Sequence, residues 1–232
     1  MIEPLSLLYK SYSFEPDDIK CIINGKMYFA VLLKNGNIGV CSTLNKVYDS
    51  NNVDITNINL SNTEHRIILN AYYNAQLNYL NSYKTDSDIF AKIKFKKYSN
   101  IVMTGYFGPL VRKFENEKIK LNIFDKQVEN SSIIDIKHQR EYLSNADVLI
   151  LSATTIFNKT FCEQINNTNN NCDIFLLGPS SIMCKEIINY PRIKTIFGTI
   201  FEKNDQRVLE QIKLGGGTKT FSPFSRKVFF SG

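Results

Sequence analysis

From Ile101 onward the chain is punctuated by six short apolar runs: IVMTG (101–105), IKLNIF (119–124), DVLILSA (147–153), DIFLLG (173–178), TIFGTIF (195–201) and KVFF (227–230). Stretches suited to helices lie between most of them, at 158–165, 181–189 and 205–214. Short, nearly continuous apolar strands alternating with helices are what a parallel sheet covered on both faces requires. The pattern predicts an α/β fold around a mostly parallel sheet. Ligands of such folds lie beyond the carboxyl ends of the strands, so function is to be sought in the residues that follow each run.

The first eighty residues read differently. Residues 20–44 hold two apolar runs around the turn signals NGK and KNGN, which predicts a small antiparallel meander. Over 63–81, Ile67, Ile68, Ala71, Ala75 and Leu77 recur close to helical spacing, with Thr63 placed to cap the helix and Glu64 near its start. Residues 82–98 are polar and mixed and read as the passage to a second domain. Within them Lys92–Lys97 (KIKFKK) alternates charge with Ile93 and Phe95, like a half-buried strand edge guarded by lysines.

Composition narrows the function classes. With 43% hydrophobic and 22% charged residues the chain is globular rather than disordered. No apolar run reaches the roughly 18–20 residues that cross a bilayer, and the start carries Glu3 and no basic stretch, unlike a secretory signal. A cytoplasmic protein with no membrane partner is therefore expected. The net charge of +6 is not gathered into a basic patch interleaved with aromatics, so no nucleic-acid partner is expected either. The cysteines (Cys21, Cys41, Cys162, Cys172, Cys184) are odd in number and form no CxxC pair, and His65 and His138 stand far apart. Neither a disulfide framework nor a Cys/His metal site is expected. The run NNTNNN (166–171) reads as a solvated loop.

After the first strand come Gly105, Tyr106, Phe107, Gly108 and Pro109, glycine-rich but without the GxGxxG dinucleotide fingerprint. The second run ends at Asp125, a position that suits hydrogen bonds from ribose-type hydroxyls and equally suits an ordinary loop acid. After the third run Ser152, Ala153, Thr154, Thr155, Asn158 and Thr160 either bind an anion together with helix amides or simply cap the helix, Asn158 being the candidate cap. Gly178, Pro179, Ser180 and Ser181 follow the fourth run. Gly-Pro stops the strand, and Ser180 or Ser181 is placed to cap the next helix. A nucleophilic serine here lacks the GxSxG elbow and a marked base. The three glycines of LGGGTKTF (214–221) exceed what a helix C-cap needs, so they fold over a phosphate or turn into the last strand.

Taken in order, ILNAYYNA (68–75), VMTGYFGPLV (102–111), NIFD (122–125), ADVLILSATTIFNKT (146–160), IFLLGPSS (174–181) and TIFGTIFEKNDQRVLEQIKLGGG (195–217) resemble the heavy-metal-chelation family. The resemblance is strongest from Asn100 to Phe230. It implies an α/β fold with a Rossmann-like, mostly parallel sheet (86–232) preceded by a small α+β, enolase N-terminal-like domain (1–85). That sheet is similar to those of S-adenosylmethionine-dependent methyltransferases. The resemblance further implies a site in the cleft between the domains, for a small molecule of a metal-handling or metallophore pathway, siderophore-, pterin- or flavin-like. The alternatives are a non-catalytic carrier of a metal chelate and an enzyme with a nucleoside cofactor. Carried over residue by residue, the ligand-binding set is Gly105, Phe107, Asp125, Thr154, Thr155, Asn158, Gly178, Pro179 and Ser180. The resemblance names no acid–base pair, cofactor or metal ligand, and leaves a homodimer open. The chain departs from the family where Gly108 intervenes before Pro109 and at Cys184, and its first domain matches only in NGNIGV (35–40) and NAYY (70–73).

Overall fold

Two tight turns fold the start of the chain into a sheet. In the computed structural model, which describes residues 1–48, 53–83, 89–127 and 130–232, helix α1 (Pro4–Ser11) precedes strands β1 (Ile19–Asn24), β2 (Tyr28–Leu33) and β3 (Ile38–Ser42). The strands pair antiparallel in the order β1-β2-β3, as the turn signals predict. Helix α2 (Thr63–Leu77) lies against this sheet. It crosses β3 at Gly39, where a Cβ would stand 2.1 Å from the carbonyl oxygen of Ala71; only glycine allows that approach. The cap is Asn62, whose side chain accepts from the amides of Glu64 and His65, while Thr63 is already helical.

The second sheet follows the predicted alternation. Helix α3 (Ile89–Lys92) leads to β4 (Ile101–Thr104), α4 (Gly108–Asn116), β5 (Asn122–Phe124), α5 (Gln139–Ser144), β6 (Val148–Ser152), α6 (Thr154–Phe157) and α7 (Phe161–Asn166). Then come β7 (Asp173–Leu177), α8 (Lys185–Ile188), β8 (Ile193–Phe201), α9 (Gln206–Lys213), α10 (Thr218–Phe221) and β9 (Ser225–Phe230). The strand order is β5-β4-β6-β7-β8-β9, parallel except for β9, which returns antiparallel to β8. The fold is thus α/β, with a mostly parallel six-stranded sheet beside a three-stranded antiparallel one.

Each parallel strand is apolar on both faces because both faces are covered. Met103, Ile150, Phe175 and Phe197 enter one core with Phe114. Val102, Leu149, Leu151 and Leu176 enter another, continuous with Leu5 and Leu8 of α1 and Ile67, Ile68 and Tyr72 of α2. A third core covers the other face of the small sheet: Ala30, Leu32, Ile38 and Val40 pack against Val208, Leu209 and Ile212 of α9 and Phe221 of α10.

Several local expectations are corrected. Lys92–Lys97 is not a strand edge: α3 ends at Lys92 and a 3-10 turn spans Phe95–Lys97. Phe95 is drawn inward by the rings of Phe90 and Phe114, at 5.1 and 4.8 Å between centroids. The helix expected over 158–165 starts only at Phe161, because Lys159 adopts a φ of 68°. Asn158 therefore ends α6 instead of capping a helix, and its Oδ1 accepts from the amide and hydroxyl of Thr160. The helix expected over 181–189 shrinks to Lys185–Ile188, because residues 181–183 are tied to α2. Neither Ser180 nor Ser181 caps it; the residue at its start is Cys184. The strand expected over 119–124 is confined to Asn122–Phe124. The glycine run leads into α10 before the last strand. The expected domain boundary, between residues 85 and 86, lies outside the described residues.

Candidate functional site at the strand ends

The order β5-β4-β6 places a topological switch point between β4 and β6, since the chain leaves β4 for one side and returns on the other. At such a point the two following loops diverge and leave a crevice. Here the loops are tightly fitted. Gly105, with φ of 96°, sits where a Cβ would lie 2.7 Å from Ser152 Cβ. The ring of Phe107 reaches across the same region: its Cε2 is 3.6 Å from that Cβ position, and its Cε1 is 3.8 Å from the one Gly178 would carry. Gly105, Phe107, Ser152 and Gly178 thus converge from the ends of three strands. Thr154 joins them through Ser152, their hydroxyl oxygens 2.9 Å apart.

Asp125 flanks this group. Its carboxylate accepts from the amides of Tyr106 (2.8 Å) and Gln127 (2.7 Å), so it ties the β4 loop to its own. Beside it opens a hollow of about 500 Å³, lined by Asp125, Lys126, Asn130, Ile133, Ile134, Asp135 and Ile136. The other residues singled out from the sequence face protein. Thr155 is buried and donates to the carbonyl of Ser152 (2.7 Å). Asn158 holds Thr160, as described. The carbonyl of Pro179 accepts from Asn74, and that of Ser180 from Asn70. Ser180 Oγ is buried and accepts the amide of Ser42 (3.0 Å).

What the sequence reading missed is how α2 holds these loops. Arg66, Asn70, Asn74 and Asn78 recur every fourth residue, hence on one helix face, and all are buried. Arg66 donates to the carbonyls of Ile156 and Phe157 at the end of α6 and pairs with Glu3. Asn74 Nδ2 donates to Pro179 and Ser181, Asn78 Nδ2 to Ser181, and Met183 returns its amide to Asn78 Oδ1 at 2.7 Å. The spacing of four polar residues through an apolar helix was the available signal.

The small sheet also contributes a strap. Ser42, at the end of β3, is tied to Ser180 beyond β7, and two residues later the carbonyl of Leu44 accepts from Gln127 Nε2 (3.1 Å) beyond β5. In strand order β5 and β7 flank β4 and β6, so the strap is anchored on both sides of the switch point. Its turn, Thr43–Lys46, closes with Lys46 N donating to Thr43 O, and carries φ of 54° at Leu44 and 58° at Asn45. A left-handed leucine costs about 1–2 kcal/mol.

Thiols and imidazoles do not gather here. Among the described residues no three His, Cys, Asp or Glu side chains come together as a metal-ligand set. Burial pushes the Cys41 thiol upward and those of Cys172 and Cys184 up to about 12. His65 Nδ1 accepts the amide of Asn59. Among the described residues no helix is long and apolar enough to cross a membrane.

A family model described as "Putative heavy-metal chelation" (DUF364) matches residues 88–231. The chain belongs to this family. Two solved DUF364 structures of unknown function share its fold. One, from Pyrococcus horikoshii, is 21% identical with a TM-score of 0.79, over 92% of this chain and 93% of that one. The other, from Desulfitobacterium hafniense, is 16% identical with a TM-score of 0.74, over 98% of each chain. No curated protein matches the chain.

Proposed function

We propose that this DUF364 protein binds a small polar organic molecule of a metal-handling or metallophore pathway at the strand-end rim, in the cleft that the strap of the small sheet bounds. The supporting observation is the convergence of Gly105, Phe107, Ser152 and Gly178 at the β4/β6 switch point beneath a strap anchored at Ser180 and Gln127. The half-buried Phe107 offers a ring face, Thr154 a hydroxyl and Asp125 a carboxylate, a set suited to a molecule with a planar part and polar substituents. In this reading the metal travels as cargo of the organic ligand.

The test is native mass spectrometry of freshly purified protein, followed by thermal-shift screening with ferric and nickel complexes of catechol and hydroxamate chelators, with pterins and with flavins. A ligand at a hundredfold excess over Kd stabilises the folded chain by about 2.7 kcal/mol, a readily measured shift. Binding is expected to weaken on Phe107→Ala. Failure of every probe, or indifference to Phe107→Ala, rejects the reading.

A further inference from the structure

We infer that Gln139 and Gln164 are positioning residues of the rim: with Thr104 they close a hydrogen-bonded ring that sets how the Gly105–Phe107 loop leaves β4. The effect of that loop on binding rests on the rim being a small-molecule site; the effect on where Phe107 stands does not.

The ring is complete in itself. Gln139 Nε2 donates to Thr104 Oγ1 at 3.2 Å, Thr104 Oγ1 donates to Gln164 Oε1 at 3.1 Å, and Gln164 Nε2 donates back to Gln139 Oε1 at 3.1 Å. Each side chain donates once and accepts once, and the bonds all run in one sense. Gln139 opens α5, Gln164 lies in α7 and Thr104 ends β4, so separate elements are joined. Both glutamines are buried, at 8% and 6% exposure. One helical turn or one strand step away, Leu143, Phe161 and Val102 enter the apolar core.

A polar ring in such a place is not what stability demands. Exchanging a whole set of buried hydrogen-bonding partners for apolar groups of the same shape is nearly neutral or stabilising. What a satisfied polar network supplies is a single arrangement, because each donor must meet its acceptor within a narrow range of distance and angle.

Here that arrangement is imposed on the residue directly before the rim. Side chains alternate along β4, so Thr104 shares the face of Val102, opposite to Met103, and is gripped from α5 and α7. Its hydroxyl is both donor and acceptor, and a β-branched side chain has few χ1 choices. A fixed hydroxyl therefore fixes the rotation of the strand end. The chain then turns at Gly105, with φ of 96°, and brings the ring of Phe107 near both Gly105 and Gly178. Backbone amides tie the loop sideways to the β5 end, Gly105 N to Phe124 O and Tyr106 N to the Asp125 carboxylate. The Thr104 ring holds it from the other direction, against rotation.

The test compares the variant Thr104→Val/Gln139→Met/Gln164→Met, which removes every member at once, with Gln139→Met alone. The readouts are urea unfolding, the fluorine NMR signal of a para-fluorophenylalanine placed at position 107, and affinity for the chelator complexes, pterins and flavins of the screen above. Gln139→Met leaves Thr104 and Gln164 each short of a partner and is expected to lower the urea midpoint; the triple variant is expected to restore it. The fluorine signal, one sharp line in the parent chain, is expected to broaden or split in the triple variant despite that recovery. Affinity for any probe that binds is expected to fall about tenfold, the low end of what losing the partner that orients a metal ligand costs. A triple variant that fails to fold, or is no more stable than Gln139→Met, shows that the ring serves stability and overturns the inference, as does an unchanged fluorine signal. If a probe binds in a Phe107-dependent way and is indifferent to the triple variant, the positioning role falls and the rim reading stands. If every probe fails while the fluorine signal splits, the positioning role stands and the metallophore reading falls.

Discussion

Asn74 and Ser181, 107 positions apart in the chain, are joined by a buried hydrogen bond of 2.8 Å from the Asn74 amide nitrogen to the Ser181 carbonyl. The same amide group donates to Pro179, and Asn74 Oδ1 accepts the amide of Val40 on β3. One side chain thus joins α2, the small sheet and the loop after β7. Replacing it with leucine removes the side-chain partner of the Pro179 carbonyl and of the Val40 amide and leaves the Ser181 carbonyl to Asn78 alone; a buried polar group left unpaired costs about 1–3 kcal/mol. Asn74→Leu is expected to lower stability by about 2–4 kcal/mol, measured by urea unfolding. A loss below 0.5 kcal/mol, an order-of-magnitude floor for one hydrogen bond, rejects this role.

Arg66 does comparable work for the loop after β6. Its guanidinium is almost wholly buried and bonds the Ile156 and Phe157 carbonyls as well as Glu3, whose side chain is partly exposed. Arg66→Met removes the donor for the end of α6, and about 3 kcal/mol is expected to be lost. Glu3→Gln keeps the carbonyl bonds and is expected to cost about 1 kcal/mol. Equal losses in chemical denaturation contradict the assignment of Arg66 as the tie between α2 and α6.

Gly105 and Gly178 both have positive φ, 96° and 133°, but differ in surroundings. A Cβ on Gly105 meets Ser152 at 2.7 Å, whereas one on Gly178 finds nothing nearer than 3.8 Å. Gly105→Ala is expected to cost about 2–4 kcal/mol, from backbone strain together with overpacking. Gly178→Ala pays the strain alone, about 1–3 kcal/mol. Adding Ser152→Gly to Gly105→Ala is expected to recover the overpacking part, and thermal melts of the double variant no better than the single one refute the contact.

Alkaline pH should loosen the fold. Burial holds the thiols of Cys172 and Cys184 and the phenol of Tyr83 protonated up to about 12, against ordinary values of 9.0 and 10.0. Above pH 9 the unfolded chain releases these protons and the folded chain does not, so stability is full below that value and falls as pH rises toward 12. Urea midpoints at pH 8 and pH 10 check the sign. In the native state at pH 8, Cys41, Cys172 and Cys184 are expected to resist a thiol reagent, with at most Cys21 and Cys162 reacting.

The strands of the parallel sheet were legible because burial on both faces writes itself as near-continuous apolar runs, as in Val148–Ser152. That Gly105, Phe107 and Gly178 share one rim was legible because they follow the carboxyl ends of β4 and β7, strands of the same parallel sheet. The misread segments share a physical cause: their conformation is set by distant partners. KIKFKK alternates like a strand, but Phe95 answers to Phe90 and Phe114. Ser181 looks like a helix cap, but its hydroxyl donates to Phe197 and its carbonyl accepts from Asn74 and Asn78. Asn70, Asn74 and Asn78 read singly as surface residues; only their common face reveals the clamp.

The packing of α9 and α10 on the small sheet has a consequence for how the chain comes off the ribosome. Ala30, Leu32, Ile38 and Val40 are translated early, yet the helices that shield them arrive some 170 residues later. Until Phe221 emerges, a nascent chain carries a sticky flank that invites holdase chaperones, and a premature stop anywhere before Gln206 leaves that flank bare for good.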